Sequence, residues 1–186
     1  MNKFSGIILA GGKSTRMGTD KSLLTVNGKT FLQIQAEKLL ELGASEVIIS
    51  GKSSPFSYAK GVMDVIPDMG PLGGLYSCFL DSASRDALVL SVDVPLISIE
   101  TLNDVLSQYF SGEHDATILS HNGHIEPLIA VYRTDRTALL KNLLDQKKLA
   151  VRAFLDRLDC QYYEFHGDEK ELLNCNTIDD LKLFQA

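Results

Sequence analysis

The residues with the most evident chemical potential lie in one early segment, Leu9-Ala10-Gly11-Gly12-Lys13-Ser14-Thr15-Arg16-Met17-Gly18-Thr19-Asp20-Lys21. Two adjacent glycines leaving an apolar run let backbone N–H groups approach an anion with no side chain in the way. Lys13, Arg16 and Lys21 stand there against the single acid Asp20. In a chain with 18 Lys+Arg and 24 Asp+Glu, that local excess of positive charge is what holding a polyphosphate requires. A second chemical position is Asp93, which follows the apolar run Leu88-Val89-Leu90-Ser91-Val92. A carboxylate at the end of a strand can reach a magnesium ion held by phosphates, because that ion needs only one or two protein carboxylates. The bland alternative for Asp93 is a residue that ends the strand ahead of Pro95.

Two familiar phosphate-binding patterns fail here. The P-loop needs a glycine five positions before the Gly-Lys-Ser triplet, and that position is Ile7, inside a strand pattern. The dinucleotide fingerprint G-x-G-x-x-G is also absent. His121 and His124 flank Asn122-Gly123 and read as a hairpin tip, since no neighbouring Cys completes a zinc set. Cys78, Cys160 and Cys175 are odd in number and far apart, so three buried, reduced thiols are expected.

The elements that must position these residues follow from the hydrophobic pattern. The chain has 186 residues, 45% hydrophobic and 23% charged, with net charge −6. That composition excludes a disordered chain, and the negative charge excludes a nucleic-acid coat. No apolar run approaches a membrane span, so a cytoplasmic protein with no membrane partner is expected. Strands are expected over 6–10, 46–50, 62–66 and 87–92, with helices over 30–42, within 70–83, and from Ser98 to about residue 109. Further on, strands over 116–120 and 125–133 flank the Asn122-Gly123 turn. Helices near 135–144 and 149–158, a strand over 160–165, and a last helix capped by Thr177 complete the pattern. Strand–helix alternation implies an α/β fold: a three-layer, Rossmann-like α/β/α arrangement with a mostly parallel sheet and an antiparallel hairpin in the second half. A single domain over 1–186 is expected, with ligands at the carboxyl ends of the strands.

The motifs quoted so far, taken together, resemble those of the molybdenum cofactor guanylyltransferases, within the nucleotidyltransferase superfamily. The first segment is similar to that group's L-x-G-G-x-S-x-R-M-G-x-D-K signature. Asp68-Met69-Gly70-Pro71-Leu72-Gly73-Gly74 resembles its acidic residue before G-P-L-x-G, and Ser91-Val92-Asp93-Val94-Pro95 its strand ending in D-x-P. Glu126-Pro127-Leu128-Ile129-Ala130 and Asn174-Cys175-Asn176-Thr177 resemble its later P-x-I-A and N-x-N-T motifs. The likeness runs in the right order along nearly the whole chain.

The resemblance implies transfer of GMP from GTP to the terminal phosphate of molybdopterin, with Mg2+ as cofactor and pyrophosphate released. It divides the domain into a nucleotide-binding half, 1–100, and an acceptor-binding half, 101–186. It implies that Leu9, Ala10, Gly11, Gly12, Lys21, Ser50, Asp68 and Asp93 contact the nucleotide. Arg16, Lys21 and Asp93 would carry catalysis, Asp93 would hold the metal, and Asn174 and Asn176 would meet the acceptor. Ser50 departs from the group, whose members often carry Asn there. Asp68 also reads as a turn former, and Asn174 and Asn176 as helix caps. Two rivals stay open: a cytidylyl- or uridylyltransferase acting on another phosphorylated acceptor, and a non-catalytic nucleotide-binding partner of other cofactor-assembly proteins.

Overall fold

The computed structural model describes residues 2–10, 21–175 and 180. Its central sheet begins with β1 (Ser5–Leu9), buried along its whole length. A two-residue ribbon, β2 (Thr25–Val26) and β3 (Lys29–Thr30), leads into α1 (Phe31–Glu41). Then come β4 (Val47–Ser50), β5 (Lys60–Val62), α2 (Gly70–Asp81), β6 (Asp86–Ser91) and α3 (Ile99–Phe110). The second half holds β7 (Ala116–His121), β8 (His124–Arg133), α4 (Thr137–Asp145), α5 (Val151–Leu155) and β9 (Cys160–Glu164).

The seven long strands lie in the order β5-β4-β1-β6-β8-β7-β9. β1 is parallel to β4 and β6, β5 to β4, and β9 to β7, while β8 is antiparallel to both its neighbours. Among the described residues β8 alone runs against the rest of this sheet. Period-two alternation divides the core into two layers. Ile8, Leu88 and Leu90 face α1 and α3, packing on Phe31, Leu39, Leu102 and Val105. Ile7, Leu9, Ala87 and Val89 face α2, α4 and α5, packing on Leu72, Leu75, Leu140, Leu143 and Phe154. Burial of each such side chain contributes about 1.5–3 kcal/mol against the entropy of ordering the chain. This is the expected three-layer α/β/α arrangement.

Several local expectations hold. Ser98 Oγ accepts the Thr101 N–H at 3.0 Å and starts α3. The Asn122-Gly123 turn has φ of 51° and 77°, the doubly positive geometry that joins twisted strands tightly. Others are corrected. The third strand is β5 at Lys60–Val62, not residues 62–66. Beyond Val62 the chain leaves the sheet, Met63 and Val65 are 65% and 62% exposed, and the Val65 N–H turns to Ser77 Oγ. The β2–β3 ribbon was unforeseen, although its turn, Asn27-Gly28, carries the same signal as Asn122-Gly123. Pro127 sits where β8 bulges: Ile118 opposes Ala130 while Leu119 opposes Glu126. A proline lacks the N–H of a regular ladder, so a bulge accommodates it. The expected Thr177 cap lies outside the described residues. Cys78 and Cys175 are buried and Cys160 is half-buried, and no disulfide joins them among the described residues. Among those residues no helix is long and apolar enough to cross a membrane.

Candidate active site

The strand order reverses beside β1. From β1 the chain moves outward through β4 and β5, then crosses back over β1 to form β6. That switch leaves a crevice between the carboxyl ends of β1 and β6, where open α/β sheets bind ligands. The ends are level: Leu9 is the register partner of both Ser50 and Ser91. The Gly-rich segment leaves the sheet at Ala10, directly from this crevice, and Asp93 lies two residues past Ser91 on its other side. Two regions far apart in sequence, around residues 10 and 93, therefore meet at one edge. Gly11, Gly12 and Arg16 lie outside the described residues. Lys21 opens a 3-10 turn, Lys21–Leu23, and its side chain is likewise outside the description.

Asp93 is held by its backbone from both sides. Its N–H donates to Ser91 Oγ at 3.2 Å, and its carbonyl accepts the Cys175 N–H at 2.8 Å. With both polar backbone atoms engaged, the backbone at Asp93 is set by the fold rather than by solvent. The second bond also brings the C-terminal segment to this edge, so the exposed Asn174 comes within one residue of an Asp93 contact. Asn176 lies outside the described residues. Sequence reading singled out both asparagines and missed Cys175 between them, because a backbone N–H leaves no mark in residue type.

Ser50 and Asp68 are placed differently. Ser50 is 2% exposed, and its hydroxyl hydrogen-bonds toward Cys78 under α2, leaving its own side chain almost no open surface. A Cβ added to Gly74 would lie 2.5 Å from Ser50 Oγ and 3.2 Å from Leu9 Cδ2. Gly74 thus lets α2 lie directly on the ends of β1 and β4, while Gly73 leaves room for the Met69 side chain. Asp68 is exposed, with a left-handed φ of 62°, two residues before α2 begins. The N-cap residue Met69 offers α2 no side-chain hydrogen bond.

Burial shifts two charged groups near this edge. Lys38 on α1 is brought down to about 8 because its ammonium is desolvated, with Glu171 opposing the shift. Glu126, at the β8 bulge, is held above the usual carboxylate range, also by desolvation. For a cation, the described residues offer no cluster of three or more His, Cys, Asp or Glu side chains. A caged transition-metal site is not what they form. One carboxylate at the switch crevice does fit magnesium, which is completed by phosphate oxygens and water.

The sequence profile of the MobA-like NTP transferase domain matches residues 6–161 of this chain. This chain belongs to the MobA-like NTP transferase family. A family relative from Xanthomonas euvesicatoria, named molybdenum cofactor guanylyltransferase, is 34% identical over 94% of this chain and 90% of its own length. Among solved structures, molybdopterin-guanine dinucleotide biosynthesis protein A from Archaeoglobus fulgidus superposes on this MobA-like chain with a TM-score of 0.81. It is 23% identical, and the match covers 97% of this chain and 96% of that one. A CMP:2-keto-3-deoxy-manno-octonic acid synthetase solved with CTP superposes with a TM-score of 0.76 over 100% and 97% of the two chains. At 13% identity it shows a shared fold alone.

Proposed function

We propose that this chain transfers the GMP moiety of GTP to the terminal phosphate of molybdopterin in the cytoplasm, forming the guanine dinucleotide cofactor and releasing pyrophosphate. A terminal phosphate oxygen of the acceptor attacks the α-phosphorus of GTP. The bond from that phosphorus to the oxygen bridging the β-phosphorus breaks, and the electron pair leaves with pyrophosphate. Both reactants are anions, so the protein's task is alignment and charge neutralisation rather than covalent catalysis.

The observation that carries this reading is the position of Asp93 across the β1–β6 crevice from the segment that begins at Ala10. In a chain whose family match runs over residues 6–161, that crevice is the natural seat of the nucleotide. Leu9, Ala10, Gly11 and Gly12 bring backbone against the nucleotide. Arg16 suits a forked contact with phosphate oxygens, and Lys21 supplies a compact charge to the departing pyrophosphate. Asp93 holds Mg2+, which when bound draws negative charge off the phosphates. Asp68 borders the nucleotide, and Ser50 acts through the packing of α2. Asn174 and Asn176 bring amides to the acceptor, so residues 1–100 serve the nucleotide and 101–186 the acceptor. Other cofactor-assembly proteins are natural partners for such a product.

The test is pyrophosphate release by purified protein with Mg2+ and molybdopterin, screening GTP, CTP, UTP and ATP. GTP alone should support fast, acceptor-dependent release. Equal rates with CTP would assign the chain to cytidylyl transfer, and no release with any nucleotide would leave only a binding role.

A further inference from the structure

Asp93 hangs on a short bend, residues 91–94, that lies beyond the β6–β8 ladder, whose last pair is Leu90 with Ile129. The carbonyls of this bend are met from α1. Gln35, fully buried, donates from Nε2 to the Ser91 carbonyl at 2.9 Å and to the Val94 carbonyl at 3.0 Å. Both partners are pure acceptors, so the amide orientation is fixed by chemistry. One helical turn on, Lys38 Nζ donates to the Pro95 carbonyl at 2.6 Å.

The same amide carries a liability. Its Oε1 is buried with no hydrogen-bond partner among the described residues. Gln35 also sits in the otherwise apolar stripe of α1, among Phe31, Leu32, Ala36 and Leu39. A side chain needed only to fill that space would be Leu or Met, because a buried orphan carbonyl opposes folding. The feature an apolar residue cannot supply is the pair of N–H donors that ties one end of the bend to the other, across Asp93.

We propose that Gln35 is a positioning residue for Asp93: by bridging the Ser91 and Val94 carbonyls it fixes how the Asp93 carboxylate faces the β1–β6 crevice. This inference rests on the assignment of Asp93 to the metal-bound triphosphate. It gives a reason why a helix that touches no reacting group carries a polar residue in its core stripe.

Gln35→Glu tests it, since the side chain keeps its shape but turns acceptors toward two carbonyls. The variant should fold cooperatively and bind GTP in EDTA within about threefold of wild type. The Mg2+ concentration giving half-maximal thermal stabilisation with GTP should rise by about tenfold or more, and kcat should fall by a similar factor with KM for GTP little changed. Gln35→Lys, which restores donors, should recover most of both. A lower melting temperature with an unmoved Mg2+ midpoint would overturn the proposal. If Gln35→Glu does not fold, Gln35→Met provides the same readouts without donors; if neither folds, Gln35 serves the fold itself and the proposal fails. Asp93→Asn is measured alongside. Wild-type Mg2+ dependence in that variant would remove the role of Asp93 and this inference with it. Loss there, with Gln35 variants behaving as wild type, would remove only the role of Gln35.

Discussion

Asp93 and Asp68 border the same edge of the sheet, yet the chain holds them by opposite means. The backbone of Asp93 is gripped through Cys175, 82 positions along the chain, while the carbonyls around it are bridged by Gln35 from 56 and 59 positions away. Asp68 stands exposed in a left-handed turn whose shape is set by its own φ and by Gly70 beside it. The first arrangement fixes the backbone that carries a carboxylate, the kind of preorganisation that stabilising developing charge demands. The second presents a carboxylate from an exposed turn. Under the proposed function, the contrast gives Asp93 a chemical role and Asp68 a contact role.

The sharpest way to break this contrast is Asp93→Ala. Magnesium-dependent turnover should drop by roughly 10²–10³-fold with the thermal transition intact, as read by pyrophosphate release and circular dichroism. Next comes Cys175→Pro, which deletes the N–H that grips the Asp93 carbonyl and should lower kcat by roughly 10–10²-fold. Cys175→Ser keeps that N–H and should stay near wild type in the same assay. If the serine variant were the damaged one, the thiol rather than the backbone would be the working group. Asp68→Gly retains the left-handed turn without the carboxylate. The relieved strain and the added freedom of the unfolded chain, each of order 1 kcal/mol, oppose one another, so its melting temperature should move little. Its effect should appear in KM for GTP, and a kcat loss equal to that of Asp93→Ala would erase the distinction.

The smallest effect concerns Lys38, which braces the Pro95 carbonyl from α1 and ionises near 8 in the folded protein instead of its ordinary 10.5. Because folding lowers its value, the charged form opposes folding at neutral pH. That opposition fades as pH rises from about 8 toward 10.5. Compared with Lys38→Met, the native protein should therefore gain stability across that window and run parallel to the variant below it, as measured by denaturant unfolding at stepped pH.

Legibility from sequence follows the range of the interactions. The hairpin at Asn122-Gly123 and the Ser98 cap depend on neighbours a few residues apart, and both were readable. So was the strand–helix alternation that builds the three layers. The shift of the third strand to Lys60–Val62 was not, because the apolar run ending at Ile66 belongs in part to the bend into α2, where Ser77 captures the Val65 N–H. In the site, the positions of Asp93, Asp68 and Asn174 were visible as residue types in motifs. That Ser50 faces under α2 and that Gly74 must lack a Cβ are matters of packing between elements. Gln35 had a visible signal, a polar residue on an apolar stripe, but its partners at Ser91 and Val94 carry no local mark.

The bond from the Cys175 N–H to the Asp93 carbonyl also has a meaning in time. During synthesis residue 175 leaves the ribosome long after β1 and β6, so a nascent chain can hold both sides of the crevice while the Asp93 carbonyl is still unbraced. The edge is completed by a stretch 82 positions after Asp93, so this bond waits on a segment made well after the strands it finishes.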